Sequence, residues 1–334
     1  NENSRKRSAD MINTVGSFSL IWLTLWCALT IVFRLVYPLV RPTLFRLHPR
    51  HGVDLLLTWW AAPMMLSLLA SLMLFAPGFE NSLISPHCHE NCIQHAPVTE
   101  QWALAAFGVL MAIVVIGSLL IHFFRNLAKG ADMQRQLSAL SVSQRGYSVL
   151  PSEVPLVFTL GWWRPRVFVS KGLLEGCTAK QLAIILDHES AHESRRDNLR
   201  LLLGRVFVLL IPERWRLLVS SDLQVLCEQA CDFEAAEKHD AVSVAETLVH
   251  VGRLLRSSVN PISSLAFDGG DLALRVKALL AQNSRYRLQP WQLLMIILVL
   301  CSALMLALDP LHHSAEQLIA WVDSTGTNFY PSDR

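Results

Sequence analysis

Long apolar runs dominate the pattern of hydrophobic and polar positions along the chain. Each is close to the roughly 20 helical residues that are needed to cross a hydrocarbon core. The four runs cover residues 18–36, 55–75, 102–124 and 291–308. Trp102 and Trp291 stand at the start of two of them, where an amphipathic ring suits the headgroup layer. The pattern therefore predicts four transmembrane helices.

The distribution of Lys and Arg predicts how these helices are oriented. Loop 77–101 holds no Lys or Arg, whereas the end of the first helix and the loop after it carry Arg34, Arg41, Arg46 and Arg50. Because positively charged loops remain in the cytoplasm, segment 125–290 is expected inside the cell and both chain ends outside. The basic residues 5–7 contradict an external amino terminus, and a native start at Met11 would remove them.

Composition excludes some classes of protein. Of the 334 residues, 52% are hydrophobic, more than an ordinary soluble domain contains. The net charge of +2 at pH 7 creates no strong basic field, so nucleic acid is not expected as a direct partner. The lipid bilayer is the expected partner of the apolar runs.

Segment 125–290 is long enough for one compact domain with its own core. Its first half contains short β-like runs separated by Pro and Gly, which predict a small antiparallel sheet over 147–150, 156–160 and 166–170. Thr178 to Gln181 then fit a capping box, which predicts a helix that continues past His192. Further helices are predicted over 199–211, ended by Pro212, and over 222–238.

An H-E-x-x-H pattern lies within the first of these helices: His188, Glu189, Ser190, Ala191 and His192. Residues four apart project from one face of a helix, so both imidazoles can bind a single zinc ion. Glu189 stands beside them as a general base that takes a proton from water. The pattern therefore predicts a zinc site that hydrolyses amide bonds.

A catalytic zinc has three protein ligands and one open position. Glu228 is a candidate for the third ligand, because Asp232 follows it one turn later on the same helix face and could accept the Nδ1–H of a ligand histidine. Other candidates in the same region are Glu234, Glu237, His239 and His250. The nearby Cys227 and Cys231 could also bind a metal, but cysteines in helices are more often small core residues, which is the interpretation preferred for them.

The external loop contains a second group of candidate ligands: His87, Cys88, His89, Cys92 and His95. Soft and borderline ligands at this spacing suit copper or zinc. The alternative is a plain disulfide between Cys88 and Cys92, or no pairing at all. The sequence leaves these alternatives open.

Several motifs together resemble the BlaR/MecR family of antirepressor membrane metallopeptidases. They are residues 161–170, the H-E-x-x-H helix, the Arg-Arg-Asp-Asn run at 195–198 and the Glu-Gln-Ala-Cys-Asp run at 228–232. The likeness extends from the first apolar run to about residue 280. It implies one zinc ion held by His188, His192 and Glu228, with Glu189 as the base and supporting roles for Asp197 and Asp232.

The resemblance also implies a fold and a function. The expected fold is an α+β, zincin-like (gluzincin) peptidase domain, inserted between the third and fourth transmembrane helices of a four-helix protein of the bacterial inner membrane. Members of the family cut a cytoplasmic repressor of the BlaI/MecI type, or themselves, after an external signal. The chain departs from the β-lactam sensors after the fourth run, where the 26 residues 309–334 are too few for a penicillin-binding domain.

Two other functions fit the same residues. One is a housekeeping metallopeptidase that degrades damaged membrane proteins, similar to the prenyl-protein or heat-shock membrane families. The other is a receptor without catalysis in which zinc only stabilises the fold, although a structural site would not need Glu189. Three predicted spans ahead of the domain favour the signal-transducing peptidase. The strand near 158–161 is further expected to offer an edge to an extended substrate.

Overall fold

The computed structural model describes residues 2–75, 97–99, 101–258, 269–281 and 286–327. The chain divides into two compact units. The first contains Asn1–Pro38, Trp59–Ser118 and Gln289–Arg334, and the second contains Leu39–Thr58 and Leu119–Leu288. The second unit therefore includes a segment between the first two apolar runs, in addition to the predicted peptidase domain.

The secondary structure of the described residues follows in chain order. It begins with α1 Glu2–Arg46, α2 Pro49–Phe75, α3 Trp102–Leu140, β1 Val142–Ser143, β2 Ser148–Leu150, β3 Val157–Leu160 and β4 Arg166–Ser170. It continues with α4 Lys171–Gly176, α5 Ala179–Arg195, α6 Asp197–Phe207, α7 Glu213–Lys238, α8 Ala241–Ser258, α9 Gly269–Leu280 and α10 Pro290–Thr327.

The long helices account for the apolar runs. Within the described residues, three helices are long and apolar enough to cross a membrane: Asp10–Arg46, Pro49–Phe75 and Trp102–Leu140. A fourth is added if Leu298–Ala307 and Asp309–Gln317, which meet at a 40° bend in α10, form one span. Helix α10 continues to Thr327, so part of the predicted tail after residue 308 is helical.

Small residues allow two helices of the first unit to approach closely. A Cβ atom added at Gly16 would lie 2.4 Å from the Cα of Ala105, and one added at Gly108 would lie 2.6 Å from the carbonyl oxygen of Gly16. This type of packing is typical of helices in a bilayer, where apolar surface alone does not drive association. Helices α1 and α3 therefore pack with their backbones in close contact.

The sheet of the second unit is mixed, and the prediction of an antiparallel sheet was wrong. The strand order is β1-β2-β4-β3, with β2 and β4 parallel and the other two pairs antiparallel. The reason is the path of the chain: after β2 it forms β3 at the far edge, and β4 then returns between the two. Strand β3 is consequently an edge strand.

Helix α5 begins where the capping box predicted. The side chain of Thr178 accepts the backbone N–H of Gln181, whose own side chain accepts the N–H of Thr178. Arg196 then adopts a left-handed conformation with a φ of 53°, and α6 begins at the next residue. Helix α7 begins at Glu213, nine residues before the predicted start at Asp222.

Two adjacent side chains anchor α5 in two different parts of the core. Ile184 packs in a cluster with Phe233 of α7 and Leu279 of α9. Ile185 packs in a second cluster with Val167 and Val169 of β4. Helix α5 is therefore fixed between the other helices and the sheet.

The carboxyl-terminal part of α3 packs on the β3–β4 turn through Gly130. A Cβ atom at this position would lie 2.5 Å from the Trp162 ring, which is held by a 3.0 Å hydrogen bond from its Nε1 to the Leu127 carbonyl.

We expect Gly130→Val to lower the free energy of unfolding by about 2 kcal/mol through overpacking. Gly117→Val, on the same helix but with no atom within 4 Å, is the control. Equal thermal unfolding of the two variants would contradict this packing.

Candidate metal centre

Helices α5 and α7 bring three candidate ligands together. The ligand atoms of His188, His192 and Glu228 all lie within 4.8 Å of one another. The Nε2 of each histidine is 3.5 Å from one oxygen of Glu228, and the two rings are 4.9 Å apart at their centroids. This set of two imidazole nitrogens and one carboxylate oxygen is one that catalytic zinc uses.

A buried carboxylate faces the outer nitrogen of each histidine. Asp197 Oδ2 lies 2.9 Å from the Nδ1 of His192. Asp232 Oδ1 lies 3.0 Å from the Nδ1 of His188, at ion-pair distance although the ring N–H is not well aligned with it. Such partners fix the orientation of a ligand imidazole and leave Nε2 for the metal. The BlaR/MecR resemblance implies this supporting role for Asp197 and Asp232, and metal binding itself remains a prediction.

Arg275 of α9 completes this group, and the sequence analysis had not identified it. Its guanidinium forms a bidentate pair with Asp232 at 2.7 and 2.8 Å and lies 2.9 Å from Glu228. The side chain of Asp232 has no exposed surface, so its charge requires such a partner. The sequence signal was indirect: a helix that buries an aspartate needs a cation, but several arginines could have supplied it.

The charges of the centre shift the acidity of its members. Burial alone would lower the pKa of His188, but Asp232 and Glu228 outweigh it and raise the pKa. Burial acts in the same direction on His192, where hydrogen bonds with Asp197 and Glu228 raise the pKa. Burial would raise the pKa of Glu228, but Arg275 and the two histidines hold it well below its usual range. The arrangement therefore favours an ionised Glu228.

The predicted base lies at the wall of a cavity. Glu189 is 6% exposed, and one of its oxygens, Oε2, accepts a 2.6 Å hydrogen bond from the hydroxyl of Thr159 on β3. The cavity has a volume of about 440 Å³ and is lined by these two residues, the three candidate ligands and Arg275. Thr159 thus orients the carboxylate towards the space in which a substrate would react.

The cysteines of α7 are core residues, as interpreted from the sequence, since Cys227 is 1% exposed and Cys231 has no exposed surface. Cys231 also touches the centre: its sulfur lies 3.2 Å from the Nδ1 of His192 and 3.3 Å from Asp197. Burial raises the pKa of this thiol to about 12. It is therefore a neutral thiol that donates to the Asp197 carboxylate.

The remaining candidates from the sequence lie elsewhere. Glu237 pairs with Arg287 at 3.7 Å, His239 with Asp187 at 2.8 Å, and His250 contacts the Gly176 carbonyl at 2.9 Å. In the described part of the chain, the ligand atoms of His192, Asp197 and Cys231 also lie within 4.8 Å of one another, and Glu234 belongs neither to this group nor to that of His188, His192 and Glu228. His87, Cys88, His89, Cys92 and His95 of the predicted external loop lie outside the described residues.

Residues 126–221 match the model of peptidase family M48. The matched segment contains the sheet, α5 and α6 but ends before Glu228. M48 peptidases are zinc metalloproteases, so the match indicates a metallopeptidase of the membrane-associated type. The match does not test the likeness to the BlaR/MecR family, so what that resemblance implies remains an expectation. No curated protein and no solved structure matches the chain.

Loss of the Arg275 guanidinium is expected to weaken metal binding. Arg275→Met leaves Asp232 and Glu228 without their shared cation, so both histidine orientation and the third ligand are disturbed. We expect a 10- to 100-fold lower zinc affinity, as for other outer partners of metal ligands, measured by competition with a chromophoric chelator. Lys277→Met, at an exposed position of the same helix, is the control and should bind zinc like the unaltered protein. Unchanged affinity in both variants would show that Arg275 does not support the centre.

Proposed function

We propose that the protein is a membrane zinc endopeptidase that transduces an external signal by cutting a cytoplasmic repressor, or itself. The observation that carries the proposal is the convergence of the His188, His192 and Glu228 ligand atoms beside Glu189, at one cavity. A purely structural zinc site would have no use for a base held at the cavity wall. The M48 match supports the peptidase activity, and the family resemblance supports the repressor as substrate.

His188, His192 and Glu228 would hold the zinc ion. When bound, zinc supplies a Lewis acid that polarises the peptide carbonyl and lowers the pKa of water towards about 7. Glu189 accepts the proton of the attacking water at the oxygen that Thr159 does not occupy. As the C–O bond forms and the C–N bond breaks, Glu189 passes this proton to the leaving amine.

Strand β3 is the proposed platform for the substrate backbone. It pairs with β4 on one side only, and the hydrogen bond from Ser170 N–H to the Leu156 carbonyl shows which residues face β4. Because hydrogen-bonded and non-hydrogen-bonded pairs alternate in an antiparallel ladder, the backbone N–H and C=O groups of Val157 and Thr159 point away from β4, towards the open edge. Asn198 donates to the Thr159 carbonyl at 2.9 Å. The polar groups of Val157 are left to pair with an extended peptide.

The orientation predicted from the distribution of Lys and Arg in the loops supports a cytoplasmic position for this site. The substrate would then be a cytoplasmic protein or a cytoplasmic segment of the protein itself. The signal would enter from the opposite side, for which the loop with Cys88 and Cys92 is the candidate receiver.

Substitution of both cysteines by Ser tests this role of the loop. An unchanged response of the protein to copper, zinc and reductant would exclude the loop as the receiver of the signal.

Glu189→Ala is expected to retain about one zinc per chain and to lose cleavage by a factor of about 10² to 10⁴, because it removes the base and keeps the ligands. Glu193→Ala is the matched control, since Glu193 lies one turn later on α5 and is exposed. The measurement is zinc content together with cleavage of co-expressed repressors of the BlaI/MecI type in membranes.

Each other outcome of this experiment assigns a different function. Cleavage of misfolded membrane proteins but of no repressor would replace the transducer with a housekeeping peptidase. Zinc without cleavage of either substrate in the unaltered protein would favour a receptor in which the metal is structural. A chain without zinc in any variant would overturn the metal centre.

Val157→Pro is expected to lower kcat/KM for a protein substrate about tenfold, because proline removes the N–H at the open edge of β3. Ser143→Pro is the control. Its N–H lies on β1, at the opposite edge of the sheet, and points away from β2 by the same alternation. An equal loss in both variants would attribute the effect to the stability of the sheet and contradict the proposed platform.

A further inference from the structure

The short connection between α1 and α2 belongs to the same compact unit as the candidate metal centre. Leu39–Thr58, here called the α1–α2 corner, groups with Leu119–Leu288. Within it the backbone N–H of His48 donates to the Tyr286 carbonyl at 2.8 Å. The corner is therefore part of the same compact unit as the helices of the candidate metal centre.

One ion pair connects the corner directly to α7. The Arg41 guanidinium donates to both oxygens of Asp222, from Nε at 2.6 Å and from Nη2 at 2.7 Å, across 181 residues of sequence. The Asp222 side chain is only 4% exposed. The Arg41 side chain is 44% exposed, but a bidentate pair on a buried carboxylate still restricts both the distance and the angle between two elements.

Two further contacts follow the same face of α7. A Cβ atom at Gly52 would lie 3.1 Å from the Leu226 side chain, so helix and corner are in close contact there. The His48 ring packs edge-on against Phe233 at 5.4 Å. Asp222, Leu226 and Phe233 recur at spacings of four and seven residues, which puts them on one stripe of the helix.

The residues of the metal centre lie on a different face of α7 from the residues that contact the corner. At 3.6 residues per turn, Glu228 and Asp232 lie about 120° around α7 from the stripe that contacts the corner. One face of the helix thus packs against the corner, while another face carries Glu228, the candidate ligand. Since Asp222 lies about 9 Å along the axis from Glu228, rotation or sliding of α7 at Asp222 is passed to the ligand.

We propose that Arg41 is a positioning residue for the metal centre, acting through Asp222 on the placement of Glu228. The proposal rests on the zinc site of the proposed function and adds to it a link from the α1–α2 corner. The ligand set is then complete only while the corner holds α7 in register. A change in the position of the corner would alter metal binding without any change in the ligands themselves.

The test compares zinc affinity and thermal unfolding of the full chain in detergent or nanodiscs. Arg41→Met should weaken zinc binding about tenfold, measured by chelator competition. Arg216→Met is the matched control, because Arg216 lies on the same α7 helix in an exposed 3.8 Å pair with Glu213. We expect this control to bind zinc within a factor of two of the unaltered protein.

A second variant separates positioning from stability. Arg41→Met leaves the buried Asp222 carboxylate without its Arg41 partner, whereas the double variant Arg41→Met with Asp222→Asn removes both charges and should regain much of the lost Tm. Zinc affinity that stays low in the double variant supports the positioning role, and it decides the matter even if the single variant does not fold. Zinc affinity that returns together with Tm overturns it.

The same experiment distinguishes the two proposals. Equal zinc affinity in the unaltered protein and in Arg41→Met would overturn the role of Arg41 and leave the proposed function intact. Absence of zinc from the unaltered protein would overturn the metal centre, and the positioning role with it.

Discussion

Buried carboxylates paired with cations hold the candidate centre together. Asp232 is fully buried between His188 and Arg275, and Asp197 is 2% exposed beside His192 and Arg195. An isolated carboxylate would not persist in such surroundings, because its transfer from water costs several kcal/mol unless partners compensate it. The requirement for compensation therefore links α5, which carries the histidines, to α6, α7 and α9.

This constraint explains how helices that are distant in sequence arrive at one cavity. Apolar clusters around Ile184 and Ile185 place α5 between the sheet and the other helices, but apolar packing is not directional. The ion pairs add direction, because a guanidinium meets a carboxylate in few geometries. Arg275 and Arg41 act on α7 from two sides, one at the ligand face and one at the corner face.

The M48 match concerns the reaction that the protein catalyses, whereas the BlaR/MecR resemblance concerns its substrate. The match covers 126–221 and supports the metallopeptidase, which depends on chemistry at the H-E-x-x-H helix. The choice of substrate depends on features outside that segment, such as the orientation of the apolar helices and the external loop. Repressor cleavage therefore rests on the resemblance and on the arrangement of the predicted spans, and peptide hydrolysis rests on the site.

Local sequence patterns determined the elements that need only neighbours along the chain. The start of α5, the presence of the long apolar helices and the face shared by His188 and His192 follow from capping, length and helical periodicity. The helices α1, α3 and α10 nevertheless extend beyond the predicted apolar runs. Tertiary structure alone decided the parallel pairing of β2 with β4, the edge position of β3 and the convergence of Arg275 and Arg41 on α7. The reason is physical: a buried charge needs a partner of opposite sign, but Coulomb attraction does not specify which of many arginines supplies it until the chain has folded.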